Sequence, residues 1–336
     1  MEQGTIKMEH GSGGKLSKAL MEEVILPAYG NPVLNEMHDG ASVSTAGNRV
    51  AFTTDSYVVK PLFFAGGNIG KLAVCGTVND LAMTGSIPRY LSVGMIIEEG
   101  FPIADLRRIV ETMCQTAKEA GVMIVTGDTK VVNKGTGDGI YINTAGIGDI
   151  VEGTNISPKR VQPGQDVILS GYIGDHATAI MAGRHALVLP TSIQSDCAPL
   201  NGLVKEMLTA VPQIAVLRDP TRGGVAATLN EIAEQSGTGI LLEEDTIPVR
   251  PEVKAVCGIL GFDPLYLANE GKLLAFVDAK YSSGLLEVMH KHEFGKDARI
   301  IGKVTADVVG QVGMHTSIGG IRIVDTPMGE QIPRIC

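Results

Sequence analysis

The chain is predicted to be an α+β protein of two domains, on three observations. At 336 residues it is long enough to bury two separate cores. Its hydrophobic content is 44%, with no tryptophan and 42 glycines, which describes a core of Ala, Val, Ile and Leu joined by many tight turns. Strand-like and helix-like segments mix on both sides of a polar, proline-bearing stretch, Ser157-Pro-Lys-Arg-Val-Gln-Pro-Gly164, and this order suits α+β at least as well as a doubly wound sheet. The boundaries expected are 1–155, 156–324 and a tail, 325–336.

In chain order, the glycine-rich His10-Gly-Ser-Gly-Gly-Lys15 precedes a helical pattern from about Leu16 to Leu26. Val50 to Val59 is strand-like, interrupted by a polar pair. Ile69 to Met83 has helical periodicity and stops before Gly85. Tyr90 to Ile97 is a strand, and Pro102 opens a helix to about Ala120, with proline in its first turn. Met123 to Val132 and Ile140 to Val151 are strands linked by a glycine-rich loop. Beyond the boundary follow a strand at Asp166 to Ser170, a helix at Asp175 to Gly183, a helix at Gly223 to Gln235 and a strand at Lys272 to Val277. A helix at Tyr281 to His290 and strands around Ile300 and Val308 complete the pattern.

The formal net charge of −9 offers no basic stripe to neutralise phosphates, which argues against a nucleic-acid partner. Five scattered cysteines (Cys75, Cys114, Cys197, Cys257, Cys336) include no C-x-x-C pair, which disfavours a disulfide scaffold or a zinc site and fits a reducing compartment. Cys75 and Cys114 fall in helical segments and are expected to be buried. The first residues lack the apolar core of a signal peptide, and no apolar run approaches membrane-spanning length, so the expected location is the cytoplasm, away from membrane.

The chain ends in Pro333-Arg334-Ile335-Cys336, on a stretch without helical or strand periodicity. Free ends move unless tied down. A thiol at the end of 324–336 can sweep roughly 40 Å at ~3.3 Å per residue, so the tail is either a chance terminal cysteine or a tethered carrier of a sulfur-bound group. Met, Ile and Pro in the tail are suited to an apolar groove.

Five aspartates follow or end apolar runs beside small residues: Asp39, Asp55, Asp80, Asp128 and Asp219. Singly, each reads as a turn or cap residue bonding its own backbone, most of all Asp39. As a set they offer the hard oxygens that suit Mg²⁺, which takes a few carboxylates and fills its shell with water and phosphate oxygens. Gly11, Ser12, Gly13, Gly14 and Lys15 miss the P-loop pattern, because Leu16 follows the lysine. They are either a phosphate-facing loop or a flexible one. Asp219-Pro-Thr-Arg-Gly-Gly224 turns into a helix N-terminus with Thr221 and Arg222 beside it, either a natural anion site or a capped helix start.

Six segments taken together resemble one superfamily. They are 10–15, Thr-Thr-Asp-Ser-Tyr-Val-Val (53–59), Gly-Thr-Val-Asn-Asp-Leu-Ala-Met-Thr-Gly (76–85), Gly-Asp-Thr-Lys-Val-Val (127–132), Asp-Pro-Thr-Arg-Gly-Gly (219–224) and Asn-Glu-Gly-Lys (269–272). They look like the ATP-binding superfamily of aminoimidazole ribonucleotide synthetase and selenophosphate synthetase. The terminal Pro-Arg-Ile-Cys narrows the resemblance to the HypE family of carbamoyl dehydratases in [NiFe]-hydrogenase maturation. That resemblance implies an N-terminal ATP-binding domain whose sheet pairs with its copy in a homodimer, a C-terminal α+β domain and a mobile tail. It implies ATP and Mg²⁺ as cofactors, a carbamoyltransferase, HypF, loading a carboxamide onto Cys336, and a HypC–HypD iron-carrying complex accepting the cyanide.

On this resemblance Asp55, Asp80, Asp128 and Asp219 are assigned to Mg²⁺, with Asp39 a weaker member. Lys15, Lys130, the 11–14 loop, Thr221 and Arg222 are assigned to the nucleotide. Cys336 is the attachment nucleophile, and Glu270 and Lys134 are candidates for proton transfer, the alternative for both being a surface salt bridge. Two rivals remain. The nearer is a sister enzyme, selenophosphate synthetase or another amide-phosphorylating relative; a selenophosphate synthetase would be expected to place cysteine or selenocysteine in the N-terminal loop, where Ser12 stands. A non-catalytic ATP-sensing scaffold would bind ATP and leave the tail chemically unchanged.

Overall fold

The computed structural model describes residues 14–29, 31–45, 49–185, 193–327, 332 and 335–336. It begins with a short helix, α1 (Lys15–Leu20). A wide turn over Met21–Ile25, closed by the Leu26 N–H donating to Met21 O, leads into α2 (Leu26–Tyr29). The helical path thus runs past Pro27 instead of stopping at Leu26. The first half continues with β1 (Ala41–Ser44), β2 (Arg49–Tyr57), the two-residue strands β3 (Phe63–Phe64) and β4 (Gly67–Asn68), α3 (Ile69–Met83), β5 (Ser86–Glu98), α4 (Ile103–Ala120), β6 (Met123–Val132) and β7 (Ile140–Ile150). The second half holds β8 (Gln165–Leu169), α5 (Asp175–His185), α6 (Asn201–Ala210), β9 (Val216–Arg218), α7 (Gly224–Ser236) and β10 (Gly239–Glu243). It ends with α8 (Pro251–Leu260), β11 (Leu274–Asp278), α9 (Ala279–Met289), β12 (Arg299–Thr305), β13 (Val312–His315) and β14 (Ile321–Ile323).

Two larger sheets carry the fold. The first has the order β1-β2-β7-β5-β6, antiparallel except for the β5–β6 pair. The second has the order β14-β13-β10-β12-β8-β11-β9, antiparallel except for β10–β13. This predominance of antiparallel pairs makes the protein α+β, as the mixed segment order predicts.

α3 lies on one face of the first sheet and is buried almost all round. Residues of β2 alternate accordingly: Ala51, Thr53 and Tyr57 are buried, while Phe52, Thr54 and Ser56 face out. The polar pair therefore does not interrupt the strand, because every second position of a one-sided sheet is solvated. The second sheet is covered on both faces. Val167, Leu169 and Phe276 pack with Leu229 and Ile232 of α7. Their sheet neighbours Ile168, Ala275 and Val277 pack with Leu203 and Met207 of α6 and Leu285 and Met289 of α9.

Three expectations need correction. Pro102 is not in the first turn of α4 but at its N-cap, with extended backbone. Cys114 is exposed, because the buried stripe of α4 runs through Ile109, Met113, Thr116, Ala117 and Ala120. Val308 is in a turn rather than a strand: its φ is 48°, both Val308 and Val309 are exposed, and the strand starts at Val312. Among the described residues no helix is long and apolar enough to cross a membrane.

Candidate active site

Four of the five predicted aspartates converge where the first sheet meets β9. Each is delivered by a different element. Asp39 lies on the segment before β1, and Asp55 is on the α3-facing side of β2. Asp80 sits in the C-terminal half of α3, whose start is fixed by Asn68: its side-chain oxygen accepts from Gly70 N at 2.8 Å and Lys71 N at 3.2 Å. Asp219 follows directly on β9.

Electrostatics record the convergence. Burial, then the charges of Asp219, Asp55 and Asp39, push the Asp80 carboxyl well above the carboxylate range. Burial and Asp39 raise Asp219 to about 8. Asp39 is raised by burial too, against the pull of Arg218. Thr53 Oγ1 stands 2.9 Å from Asp80 Oδ2 and 3.0 Å from Asp39 O. Its one hydrogen is shared between these two acceptors, which ties Asp80 to the segment of Asp39.

Sequence reasoning missed Arg218. Its Nε lies 2.7 Å from Asp39 Oδ1 in an ion pair, and its Nη2 donates to Glu231 Oε2 at 2.8 Å. Burial opposes its charge, but Asp39, Glu231 and Asp219 outweigh that and hold it protonated. Its neighbour His38 is pushed down to about 3, by burial first and Arg218 second, and is neutral. Both residues flank a predicted aspartate in the sequence, and that adjacency was the available signal.

Among the described residues, no three carboxylate, imidazole or thiolate groups are close enough to ligate one ion. The aspartates form a loose ring of buried charge. Asp39 Oδ2 is buried without a hydrogen-bond partner. Such a donor set fits Mg²⁺, whose remaining positions go to water and phosphate oxygens, and a cation would offset the burial and the mutual repulsion that raise Asp80 and Asp219.

The chain end lies beside this ring. Ile332 and Ile335 are buried in the core formed around α3, and Cys336 packs against it. Val58 N, just past β2, donates to Cys336 O at 3.2 Å. Arg222 is held protonated chiefly by the charge of Cys336, then, against the cost of burial, by Asp55, Glu270 and Tyr57. The guanidinium of Arg222, an exposed residue, therefore feels the charge of the terminal cysteine, of a member of the aspartate ring and of the candidate proton carrier.

Glu270 is 3% exposed, and its Oε1 has no hydrogen-bond partner. Burial, then Cys197, Asp196, Asp219 and Asp55, lift its carboxyl well above the ordinary range. Its backbone is tied to the 195–198 segment: Glu270 N donates to Asp196 Oδ1 at 3.1 Å, and Ala198 N donates to Glu270 O at 3.4 Å. Gly271 allows this approach, because a Cβ there would lie 1.8 Å from Asp196 O. Asn79 fastens the same segment to α3, donating to Ala198 O at 3.1 Å and accepting from Leu200 N at 2.8 Å. Behind the segment opens a cavity of about 670 Å³, where Lys272 pairs with Asp196 at 3.1 Å.

The remaining predicted residues lie elsewhere. Gly11, Ser12 and Gly13 fall outside the described residues. Gly14 is buried, and the exposed Lys15 pairs with Asp325 at 2.9 Å while its N–H donates to Pro327 O, which joins α1 to the start of the tail. Thr221 lies in the turn before α7, its N–H donating to Asp219 O at 3.0 Å. Asp128 and Lys130 are on β6, and Lys134 is in the exposed loop after it. β6 is separated from β2 by β7 and β5, about 14 Å at ~4.8 Å per strand, beyond the reach of a lysine side chain. Within one chain these three residues do not join the ring. Among the described residues β6 is an edge strand, paired on one side with β5, with Val125 54% and Val131 64% exposed, and Phe52, Tyr90 and Ile147 continue the apolar surface across the sheet.

Comparison with known proteins places the chain. Residues 37–150 match the N-terminal domain, and residues 162–315 the C-terminal domain, of AIR synthase related proteins. The chain is 52% identical over 336 residues to carbamoyl dehydratase HypE of Azotobacter vinelandii, covering 100% of this chain and 98% of the relative. It is similar to HypE in a crystal structure of a HypE–HypF complex, with a TM-score of 0.87 and 52% identity over 92% of this chain and 100% of that one. It is also similar to a hydrogenase maturation protein HypE crystallised with ATP, with a TM-score of 0.84 and 45% identity over 99% of this chain and 100% of that one.

Proposed function

The chain belongs to the HypE family of carbamoyl dehydratases, built from AIR synthase related domains, and on that footing we propose how its residues perform an ATP-dependent dehydration for hydrogenase maturation. The substrate is a carboxamide on the Cys336 sulfur. The overall change is R–S–C(=O)–NH₂ + ATP → R–S–C≡N + ADP + phosphate + H⁺. The amide oxygen attacks the γ-phosphorus, ADP leaves, and the nitrogen gives up the first of its two protons. The resulting O-phosphorylated intermediate then loses its remaining N–H proton as the C–O bond breaks and phosphate departs with the oxygen. The observation that supports this assignment is the chain end docked beside the aspartates: Val58 N, three residues past Asp55, donates to Cys336 O at 3.2 Å.

Each residue then has a task. Asp55, Asp80 and Asp219 would hold Mg²⁺ between them, at most two of the three on any one ion, with Asp39 committed mainly to Arg218. When bound, the ion supplies positive charge against the phosphate oxygens. Arg222 and the Val58 N–H orient the chain end, so we read Arg222 as a tail clamp in addition to a phosphate contact. Glu270, buried and raised, is suited to take a proton from the amide nitrogen and pass it on. Lys15 and the 11–14 loop are assigned to the phosphate chain with Thr221.

Asp128, Lys130 and Lys134 are assigned to the site of a second copy, because all three ride on the apolar β6 edge or its loop. This makes the working unit a homodimer joined through the first sheet. Residues 1–155 form the nucleotide and dimer domain, 156–324 the second domain and 325–336 the carrier tail, all in the cytoplasm. A HypF-type carbamoyltransferase loads Cys336, and a HypC–HypD complex accepts the cyanide.

Mass spectrometry of the C-terminal peptide tests the assignment. Incubation with the carbamoyltransferase, carbamoyl phosphate and ATP should give an adduct of about +43 Da that falls to about +25 Da, masses set by the chemistry above. Cys336→Ala should show neither, and Asp80→Asn only the first. A +25 Da adduct formed by Asp80→Asn at the wild-type rate would refute the metal assignment, and an unchanged tail peptide would favour the ATP-sensing scaffold.

A further inference from the structure

We propose that His176 is a positioning residue that latches the docked tail through the Ile335 carbonyl and ties the tail's arrival to the segment holding Glu270. His176, in the first turn of α5, is completely buried. Its Nε2 lies 2.8 Å from Ile335 O and its Nδ1 2.8 Å from Ser195 Oγ. Phe64 packs edge-on against the ring, with centroids 5.5 Å apart, and holds its plane.

The direction of the hydrogen bonds follows from chemistry. A backbone carbonyl only accepts, so Nε2 bears the hydrogen. Burial keeps the ring neutral, so Nδ1 is the bare nitrogen and accepts from the Ser195 hydroxyl. Ser195 Oγ in turn accepts from Cys197 N at 3.1 Å. The result is one chain of donors: Cys197 N–H to Ser195, Ser195 O–H to His176, and His176 N–H to the residue before the carrier cysteine.

Cys197 stands between the two residues that fix the Glu270 backbone. Asp196 Oδ1 accepts from Glu270 N, and Ala198 N donates to Glu270 O. Withdrawing the tail leaves the buried Nε2–H without its acceptor, a costly state that a shift of the 195–198 segment would relieve. With the tail in place the chain is complete, and Glu270 is held where the carboxamide arrives. Val58 and His176 both grip the backbone of the last two residues, and the His176 contact is the one that leads on to Glu270.

This assignment rests on Cys336 as the carrier, and its test separates the two. In the full-length protein without nucleotide, alkylation of Cys336 by iodoacetamide, resolved by peptide mass from exposed Cys114, reports docking alone. His176→Ala should speed Cys336 alkylation roughly tenfold, as expected for loss of one buried hydrogen bond. His176→Gln, which keeps a donor at comparable reach, should restore most of the protection. On carbamoylated protein, His176→Ala should lower kcat at least tenfold with the KM for ATP unchanged, and loading of Cys336 by the carbamoyltransferase should be undiminished.

Nitrogen NMR of the His176 ring keeps the test open should His176→Ala fail to fold. The wild-type ring should be the neutral Nε2–H form, and deletion of 332–336 should shift both ring nitrogens. Wild-type alkylation rates in a folded His176→Ala, or ring signals unmoved by the deletion, would overturn the latch. Loss of protection in a chain whose wild type never forms the +25 Da adduct would sink the dehydratase assignment and leave the latch standing.

Discussion

Replacing Asp219 by asparagine should stabilise the nucleotide-free protein while abolishing dehydration. Burial, then Asp39, lifts this carboxyl from 3.8 to about 8, with Arg218 opposing. A carboxyl whose folded value lies above its unfolded value binds more protons folded than unfolded between the two. Its contribution to stability is therefore complete below the unfolded value and is lost as pH rises through the folded one. The window runs from 3.8 to about 8. At about 1.4 kcal/mol per pH unit, the three units between pH 4 and pH 7 cost about 4 kcal/mol.

The amide keeps the shape and removes the charge, which also relieves Asp39 and Asp80. With a urea slope of ~3 kcal/mol/M, the midpoint at pH 7 should rise by about 1 M, and the difference from wild type should vanish near pH 4. Urea unfolding from pH 4 to pH 8, without nucleotide or metal, measures this. Saturating Mg–ATP should reverse the order, since a ligand stabilises the folded state in proportion to its affinity and the variant has lost a ligand carboxylate. A variant no more stable than wild type at pH 7, or one with a parallel pH profile, would refute the account of the ring as buried repulsion awaiting a cation.

Two further outcomes follow from close approach and exposure. Gly271→Ala puts a methyl 1.8 Å from Asp196 O, so the 196–198 and 269–272 segments must part. Dehydration should fall at least tenfold and the thermal midpoint by several degrees, while carbamoylation continues, as measured by kcat and calorimetry. Val125→Glu places a charge on the exposed β6 edge and should weaken self-association at least ~100-fold, about 2.7 kcal/mol, by sedimentation; an unchanged assembly would show that β6 is not the dimer seam.

Much of the site is legible in the residues alone. The aspartates stand out because each ends an apolar run beside small residues, where a charge is costly without a function, and the terminal cysteine because nothing local explains it. The α3 helix and β6 begin and end where their periodicity does. Other elements were lost to period alone. α6 is a short helix with no capping side chain, α8 is short although Pro251 opens it and Gly261 closes it, and Val308 mimics a strand start because two valines look alike in a turn and a sheet.

What the sequence by itself determined is the inventory: the acidic set, the glycine-rich turns, the carrier thiol and the family that joins them. Tertiary structure decided the partnerships. It set Arg218 against Asp39, Val58 against Cys336, and His176 between Ser195 and Ile335. It also held Asp128 and Lys134 away from the ring of their own chain. These are contacts between residues many positions apart, fixed by how strands order and helices pack, and no local pattern of residue types encodes which distant donor will meet which acceptor.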